Sequence, residues 1–385
     1  MKTRYYFDWA ATALPDAPPD LAAAKVLPFG NPSSKHTEGR RARDALEDAR
    51  RRCAAVLGVA AKELYFTSGG TEANAIVLHS LLLRKSRSGA GGLLYSAVEH
   101  PSIRENAALL ERLGKPAAQI AVEADGRVSS ETLGRALEKA AEPRLAAIMA
   151  VNNETGAVMD IQGLAGVLRA RQGPQVHLHC DMVQGIGKVP VDLTGWDVDS
   201  AALSAHKLGG PRGIGLLYLR GSLEVIYAGG GQERGIRPGT ENVSGALALA
   251  DCLERHARPE TVRTEYDAAA ARMKTLIGGL QTIPRCSLIP RSRPEFGPGF
   301  SPYIVQAAFD GVPGEVMVRA LDDAGFALST GSACSSDKKA RPILAAMGVD
   351  EKTGFEGIRI SQGWSTTVED IEALLGAITG ILGVL

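Results

Sequence analysis

Short apolar runs and amphipathic stretches alternate along this chain from about residue 35 onward. Residues 35–58, rich in Arg, Ala, Glu and Leu, read as a helix. Leu64-Tyr-Phe-Thr67 reads as a short strand, and 71–83 as a second helix. The apolar runs 92–96, 145–152, 176–180, 200–204 and 215–219 read as further strands. Strands separated by helices pair in parallel through crossovers, so the pattern predicts an α/β layered sheet. Ligands of such sheets sit at the carboxyl ends of the strands. The residues just after each run are therefore the ones that bear on function.

From about residue 256 the pattern changes. A long helix over about 260–279 leads into a Pro/Gly-rich stretch, 291–302, and then into strand–helix–strand patterns. A chain of 385 residues exceeds what one ordinary core holds. The expectation is a large domain over 15–255 and a smaller α+β domain made of 1–14 and 256–385. The apolar C-terminus, 371–385, carries Glu372 and three glycines and is too short for a bilayer, so it reads as a final helix packed on the core.

Composition narrows the function classes. Lys plus Arg and Asp plus Glu number 43 each, which leaves no electrostatic footprint for nucleic acid or for an anionic membrane. The start, with Lys2, Arg4 and Asp8, does not read as a signal peptide. Five scattered cysteines argue against a disulfide framework and for the reducing cytoplasm. No Cys-x-x-Cys pair points to a zinc ribbon.

Several candidate residues follow the strands. Thr67-Ser-Gly-Gly-Thr-Glu72 runs into a helix, where glycines and unpaired N–H groups suit an anion; an ordinary capped helix start has the same pattern. Glu99-His100-Pro101 places a planar ring at a strand end, suited to stacking on a flat cofactor. His177 and His179 share one strand face but lack a further ligand with clear spacing, so no metal site is expected. Asp181, at the end of that strand, suits a pyridinium nitrogen. Lys207, one crossover later in Ser204-Ala-His-Lys207, suits a Schiff base with a pyridoxal-type cofactor. The loop from Gly229 to Asn242 is dense in glycine and polar donors, which fits a phosphate, a subunit contact or a flexible loop. In the second part, Cys334 lies among small residues beside Lys338, Lys339 and Arg341, a setting for an accessible thiolate. Arg359 sits in an alternating strand pattern and suits a substrate carboxylate.

Taken in order, these segments resemble the cysteine desulfurase family of NifS/IscS type, within the class V aminotransferase superfamily and the pyridoxal-phosphate (PLP) enzymes of fold type I. The matching text includes Asp8-Trp-Ala-Ala-Thr12, Gly30-Asn-Pro-Ser-Ser34, Thr67-Ser-Gly-Gly-Thr-Glu72, Glu99-His100 and Asn152-Asn-Glu-Thr-Gly156. It continues with Asp181-Met-Val-Gln184, Ser204-Ala-His-Lys207, Gly231-Gln-Glu-Arg234, Arg237-Pro-Gly-Thr-Glu-Asn242, Gly331-Ser-Ala-Cys334 and Arg359-Ile-Ser361. Each is weak alone; the ordered set spans almost the whole chain.

The resemblance implies a seven-stranded, mostly parallel sheet and conversion of L-cysteine to L-alanine. Lys207 is then the cofactor lysine and His100 a stacking, proton-shuttling ring. Asp181 pairs with the pyridine nitrogen and Gln184 with the ring hydroxyl. Gly70, Thr71, Ser204 and His206 hold the phosphate, joined by Thr240 of a second subunit in a homodimer. Asn153 and Arg359 hold the substrate carboxylate region. Cys334, on a mobile loop, takes the sulfur as a persulfide for an acceptor such as an iron–sulfur scaffold or a tRNA-thiolation enzyme. Selenocysteine cleavage, transamination of another small amino acid and a non-catalytic scaffold are the alternatives. Two departures stand out: the family's Asp-Asn-Ala-Ala-Thr-Thr has Trp9 and Ala13 here, and the segment after Cys334 is unusually basic. Trp9 is expected near the cofactor entrance, where it could reshape substrate access or partner docking.

Overall fold

The computed structural model describes residues 4–15, 29–83, 91–140, 142–172, 176–293, 297, 299–331 and 341–384. A two-residue strand, β1 (Tyr5–Tyr6), opens it. Seven further strands follow: β2 (Leu64–Thr67), β3 (Gly92–Ser96), β4 (Ala117–Ile120), β5 (Pro143–Ala147), β6 (His177–Asp181), β7 (Ser200–Ser204) and β8 (Gly215–Leu219). They form one sheet in the order β2-β8-β7-β6-β5-β3-β4. Only β8 runs against the others. The sequence expectation of an α/β fold with a mostly parallel sheet holds. Because β2, β3, β5, β6 and β7 point the same way, their carboxyl ends lie along one edge of the sheet.

The central strands β6, β7 and β8 are buried along their whole length, as a sheet covered on both faces requires. The covering helices are α1 (Thr37–Leu57), α2 (Gly70–His79), α3 (Pro101–Arg112), α4 (Ser130–Lys139), α5 (Ile161–Gln172) and α6 (Val243–His256). In α1, Ala42, Leu46, Ala49 and Cys53 make a buried stripe at helical spacing. The helix starts at His36, whose side chain accepts from the Gly39 N–H, and ends at Gly58 in the left-handed conformation (φ 67°). The strand expected over 145–152 stops at Ala147. Beyond it Ile148 and Ala150 still donate to carbonyls of β6, but the chain then closes a turn in which Gly156 donates to the Asn152 carbonyl. That turn carries Asn153 out of the sheet.

A second core gathers Phe7 with the later elements. The later elements are α7 (Pro259–Thr282), β9 (Cys286–Ile289), β10 (Ile304–Phe309), α8 (Gly314–Asp323), β11 (Phe326–Ala327), α9 (Pro342–Ala346), α10 (Glu351–Glu356), β12 (Gly357–Ser361) and α11 (Val368–Leu382), of which α9 packs Ile343 and Leu344 into the first core instead. Strands β12-β10-β9 form an antiparallel sheet, and β1 pairs with β11 in parallel. Ile371, Leu374 and Ile378 bury one face of α11, as its apolar pattern predicts. Among the described residues no helix is long and apolar enough to cross a membrane.

Trp9 departs from expectation. Its side chain is 1% exposed and meets Trp364 edge-on at 4.9 Å, and Trp364 in turn stacks on His256 at 3.9 Å. The indole lies over Gly363, where any Cβ would fall 2.1 Å from the ring. Trp9 is thus a packing residue joining the N-terminal segment to α6 and to the chain after β12. It forms no part of the cavity wall described below.

A buried ion pair ties the glycine-rich loop to the sheet. Arg50 of α1 donates to both carboxylate oxygens of Glu233 at 2.8 Å, and the Phe66 N–H donates to the same carboxylate at 2.8 Å. Their side chains are 2% and 1% exposed. Removing Glu233 leaves the buried guanidinium with the half-exposed Glu47 carboxylate and the Leu64 carbonyl, and takes the acceptor from the Phe66 N–H. Glu233→Ala should therefore cost about 3 to 5 kcal/mol in denaturant unfolding; a loss below about 1 kcal/mol would deny the pair this role.

Candidate active site

The strand carboxyl ends converge on one cavity of about 330 Å³. Lys207, in the short turn after β7, lines it, and its Nζ donates to the carbonyls of Ala10 (2.6 Å) and Ala11 (2.8 Å). Asp181 ends β6. Its carboxylate accepts from Asn74 Nδ2 (2.8 Å) and from the Val183 N–H (3.0 Å). Gln184 donates through Nε2 to the Ala10 carbonyl (2.7 Å) and accepts from the Lys188 amine (2.7 Å). His100 caps α3 and lines the cavity, its Nδ1 turned to Ser102.

At another part of the wall, Gly70 and Thr71 begin α2 beside Ser204 and His206. Unpaired N–H groups at a ten-residue helix's start, together with two hydroxyls and an imidazole, make a donor set for an anion. The approach is close: a Cβ on Gly70 would lie 2.5 Å from Val183 Cγ2. Arg359, from β12 of the second core, reaches the same cavity. Its guanidinium donates to Asp8 (2.8 Å), the Asn153 carbonyl (2.9 Å) and Ser329 Oγ (2.9 Å). Asn153 Oδ1 is buried in that wall and accepts from no described group. Thr240 is exposed and outside the cavity wall of its own chain. Cys334 lies outside the described residues, but Gly331 before it and Pro342 and Ile343 after it line the cavity.

Burial decides the charges here. It pushes the Glu99 carboxyl up to about 8, helped by the nearby Asp181, against donors from Ser96 Oγ and the Met149 N–H. It pulls the Lys188 amine down to about 7, assisted by Lys207 and Arg359. It lowers His206 to about 4 and His179 to about 3. His100 is lowered by burial first; Asp181 opposes this, and Lys207 and Arg104 add to it. The cavity therefore rests with neutral imidazoles.

The profile of the aminotransferase class-V family matches residues 5–374. The chain belongs to that family. It is 34% identical to a NifS/IcsS protein homolog of Lactobacillus delbrueckii subsp. bulgaricus, over 97% of this chain and 95% of that protein. It is 33% identical to the cysteine desulfurase IscS of Dictyoglomus turgidum, over 99% and 95%. A solved NifS-like protein superposes with a TM-score of 0.88 at 29% identity, covering all of both chains.

The structure brings together Gly70, Thr71, His100, Asn153, Asp181, Gln184, Ser204, His206, Lys207 and Arg359 around this family member's cavity. Sequence reasoning missed Ala10, Ala11 and Ser102, which also line the cavity, and Asn74 and Lys188 behind it. One signal was available for Asn74, an amide inside an otherwise apolar helix, where asparagine is unfavourable unless its side chain is engaged. The histidine pair has no ligand geometry to offer. His177 Nε2 and His179 Nδ1 both meet Ser200 Oγ, at 2.7 and 2.8 Å, and His179 Nε2 meets Asn74.

The raised Glu99 group makes stability fall with pH. The fold keeps this proton while the unfolded chain releases it from about 4.5 upward, so the contribution is complete at low pH and is lost as pH rises to about 8. Lys188 works in the opposite direction in both proteins and cancels in the comparison. Glu99→Gln should gain melting temperature over the parent progressively between pH 5 and pH 9. Two parallel Tm–pH curves would show Glu99 to be ionised in the fold.

Proposed function

We propose that the protein is a PLP-dependent cysteine desulfurase, which releases alanine from L-cysteine and carries the sulfur as a persulfide on Cys334. One observation carries the reading: the Lys207 amine, the Asp181 carboxylate and the start of α2 face a single cavity whose wall runs into both flanks of the Cys334 segment. The names of the relatives support it.

The residues fit the cofactor. The N–H groups of α2 with Thr71, Ser204 and His206 suit its phosphate, Lys207 its aldehyde carbon, Asp181 its ring nitrogen and Gln184 its ring hydroxyl. The unpartnered Asn153 Oδ1 is placed to accept a donor from bound ligand. When bound, PLP supplies an electron sink for the charge left at a substrate's Cα. Asp181, held by Asn74, keeps a proton at the pyridine nitrogen. Lys207 would hold the cofactor through its aldehyde carbon. His100 stacks on the ring. Arg359 and Asn153 hold the substrate carboxylate.

Cys334 Sγ then attacks the substrate sulfur: an S–S bond forms, the Cβ–S bond breaks, and its electron pair stays on Cβ, which takes up a proton. Three of the other cysteines are poor candidates. Burial raises the thiols of Cys53 and Cys286 to about 12 and that of Cys180 well above its ordinary value.

The same reading places the cavity between a cofactor domain, 15–255, and a smaller domain, 1–14 with 256–385. It makes the exposed Thr240 a phosphate ligand for the second subunit of a homodimer. It sets the enzyme in the cytoplasm, handing sulfur to an acceptor protein such as an iron–sulfur scaffold or a tRNA-thiolation enzyme.

Cysteine treatment should add one sulfur to the Cys334 peptide in mass spectra. Cys334→Ala should bind PLP and stay yellow while sulfide release with a reductant falls about a hundredfold or more. Sulfide release at the parent rate by that variant would remove Cys334 from the mechanism.

A further inference from the structure

A continuous hydrogen-bond chain runs behind the cavity, and its proton positions follow from its acceptor-only end. Asp181 is 5% exposed, and its carboxylate, which takes the Val183 N–H at 3.0 Å, serves as an acceptor. The group of Asn74 that faces it at 2.8 Å is therefore the amide nitrogen, which also donates to Ser102 Oγ at 2.8 Å. Asn74 Oδ1 then faces His179 Nε2 at 2.8 Å and needs a proton there. His179 is fully buried and neutral, so its Nδ1 accepts from Ser200 Oγ at 2.8 Å. The Ser200 hydroxyl has spent its hydrogen and accepts from His177 Nε2 at 2.7 Å.

The other branch reaches His100. Ser102 Oγ, having accepted from Asn74, turns its hydrogen to His100 Nδ1 at 2.9 Å. The Ser102 backbone N–H, which cannot be anything but a donor, points at the same nitrogen at 3.1 Å. Two donors aimed at Nδ1 leave no room for a proton on it.

We propose that Asn74 and Ser102 are positioning residues that fix the proton of neutral His100 on Nε2, the nitrogen left to the cavity. His100 thus meets its ligand as a hydrogen-bond donor. It holds an anionic sulfur, and the substrate cysteine enters as its thiolate; acting as the base would first require the proton to move to Nδ1, against both donors. This deepens the desulfurase reading and rests on it for the identity of the sulfur, whereas the proton's position stands on the chain itself.

The test is NMR of the isolated, cofactor-bound protein labelled with 15N-histidine, with the His100 signal assigned by its loss in His100→Gln. At pH 8 we expect a protonated Nε2 and a bare Nδ1. Ser102→Ala removes a donor that favours the neutral ring, so the His100 pKa should rise by about half a pH unit to one unit, and Ser102→Thr should restore it. The charged groups acting on this ring, Asp181, Lys207 and Arg104, are the same in all three proteins. A proton on Nδ1, or a doubly protonated ring at pH 8, overturns the proposal even if no variant folds. An unmoved pKa in Ser102→Ala overturns the role of Ser102. A correct tautomer in a protein that releases no sulfide from cysteine would sink the desulfurase reading and leave the proton's position standing.

Discussion

A carboxylate, Asp181, ends the middle strand of a covered sheet, and the polar groups behind the cavity are arranged around it. Asp181 must be met by donors from the protein, and Asn74 and the Val183 N–H supply them. Once the Asn74 amide is oriented, each hydroxyl and imidazole in line has one proton arrangement left. A second carboxyl nearby, Glu99, holds its proton, because its burial penalises the charge and the neighbouring Asp181 adds to that. Apolar packing decides where the strands lie; this single charge decides how the polar side chains between them point.

The second organising feature is the N-terminal segment, which runs between the two cores. Phe7 is buried in the smaller core, and the Ala10 N–H donates to Ser361 Oγ at the end of β12. The carbonyls of Ala10 and Ala11 hold the Lys207 amine, and the Ala10 carbonyl also holds Gln184. Asp8 pairs with Arg359. A few residues thus join β12 to the ends of β6 and β7, and Trp9 anchors them through its contact with Trp364. The cavity needs groups from both cores, so their spacing must be fixed, and this segment with its buried indole fixes it.

Where a strand is a pure apolar run, the sequence pattern located it closely: β2, β3, β7 and β8 fall on the expected residues. The edge strand β4 did not stand out, because Ala118 and Gln119 face solvent and the run is too polar to read as buried. The over-long reading of β5 has a similar cause, since residues 148–152 are as buried as the strand yet serve a turn. Site residues were legible where they sit directly after a strand in a recognisable motif, as Lys207, Asp181 and His100 do. Asn74 and Ser102 were not, because their partners are 107 and 28 residues away from Asn74 along the chain and only folding brings them together. Trp9 misled because a motif position says where the backbone passes, not to which side a ring turns.

Gln184 carries the same logic to the opposite side of the cavity. The Ala10 carbonyl can only accept, so Gln184 turns its Nε2 to it and its oxygen to the Lys188 amine, which donates at 2.7 Å. The second amide hydrogen is left for the cavity that Gln184 lines. The Asp181 carboxylate and the Ala10 carbonyl are both acceptors, and between them they set the direction of the polar groups on two sides of one cavity. The burial that lowers the lysine is also what makes it directional, since no water competes for the amide oxygen. Neither residue needs to touch a substrate to decide what the substrate meets.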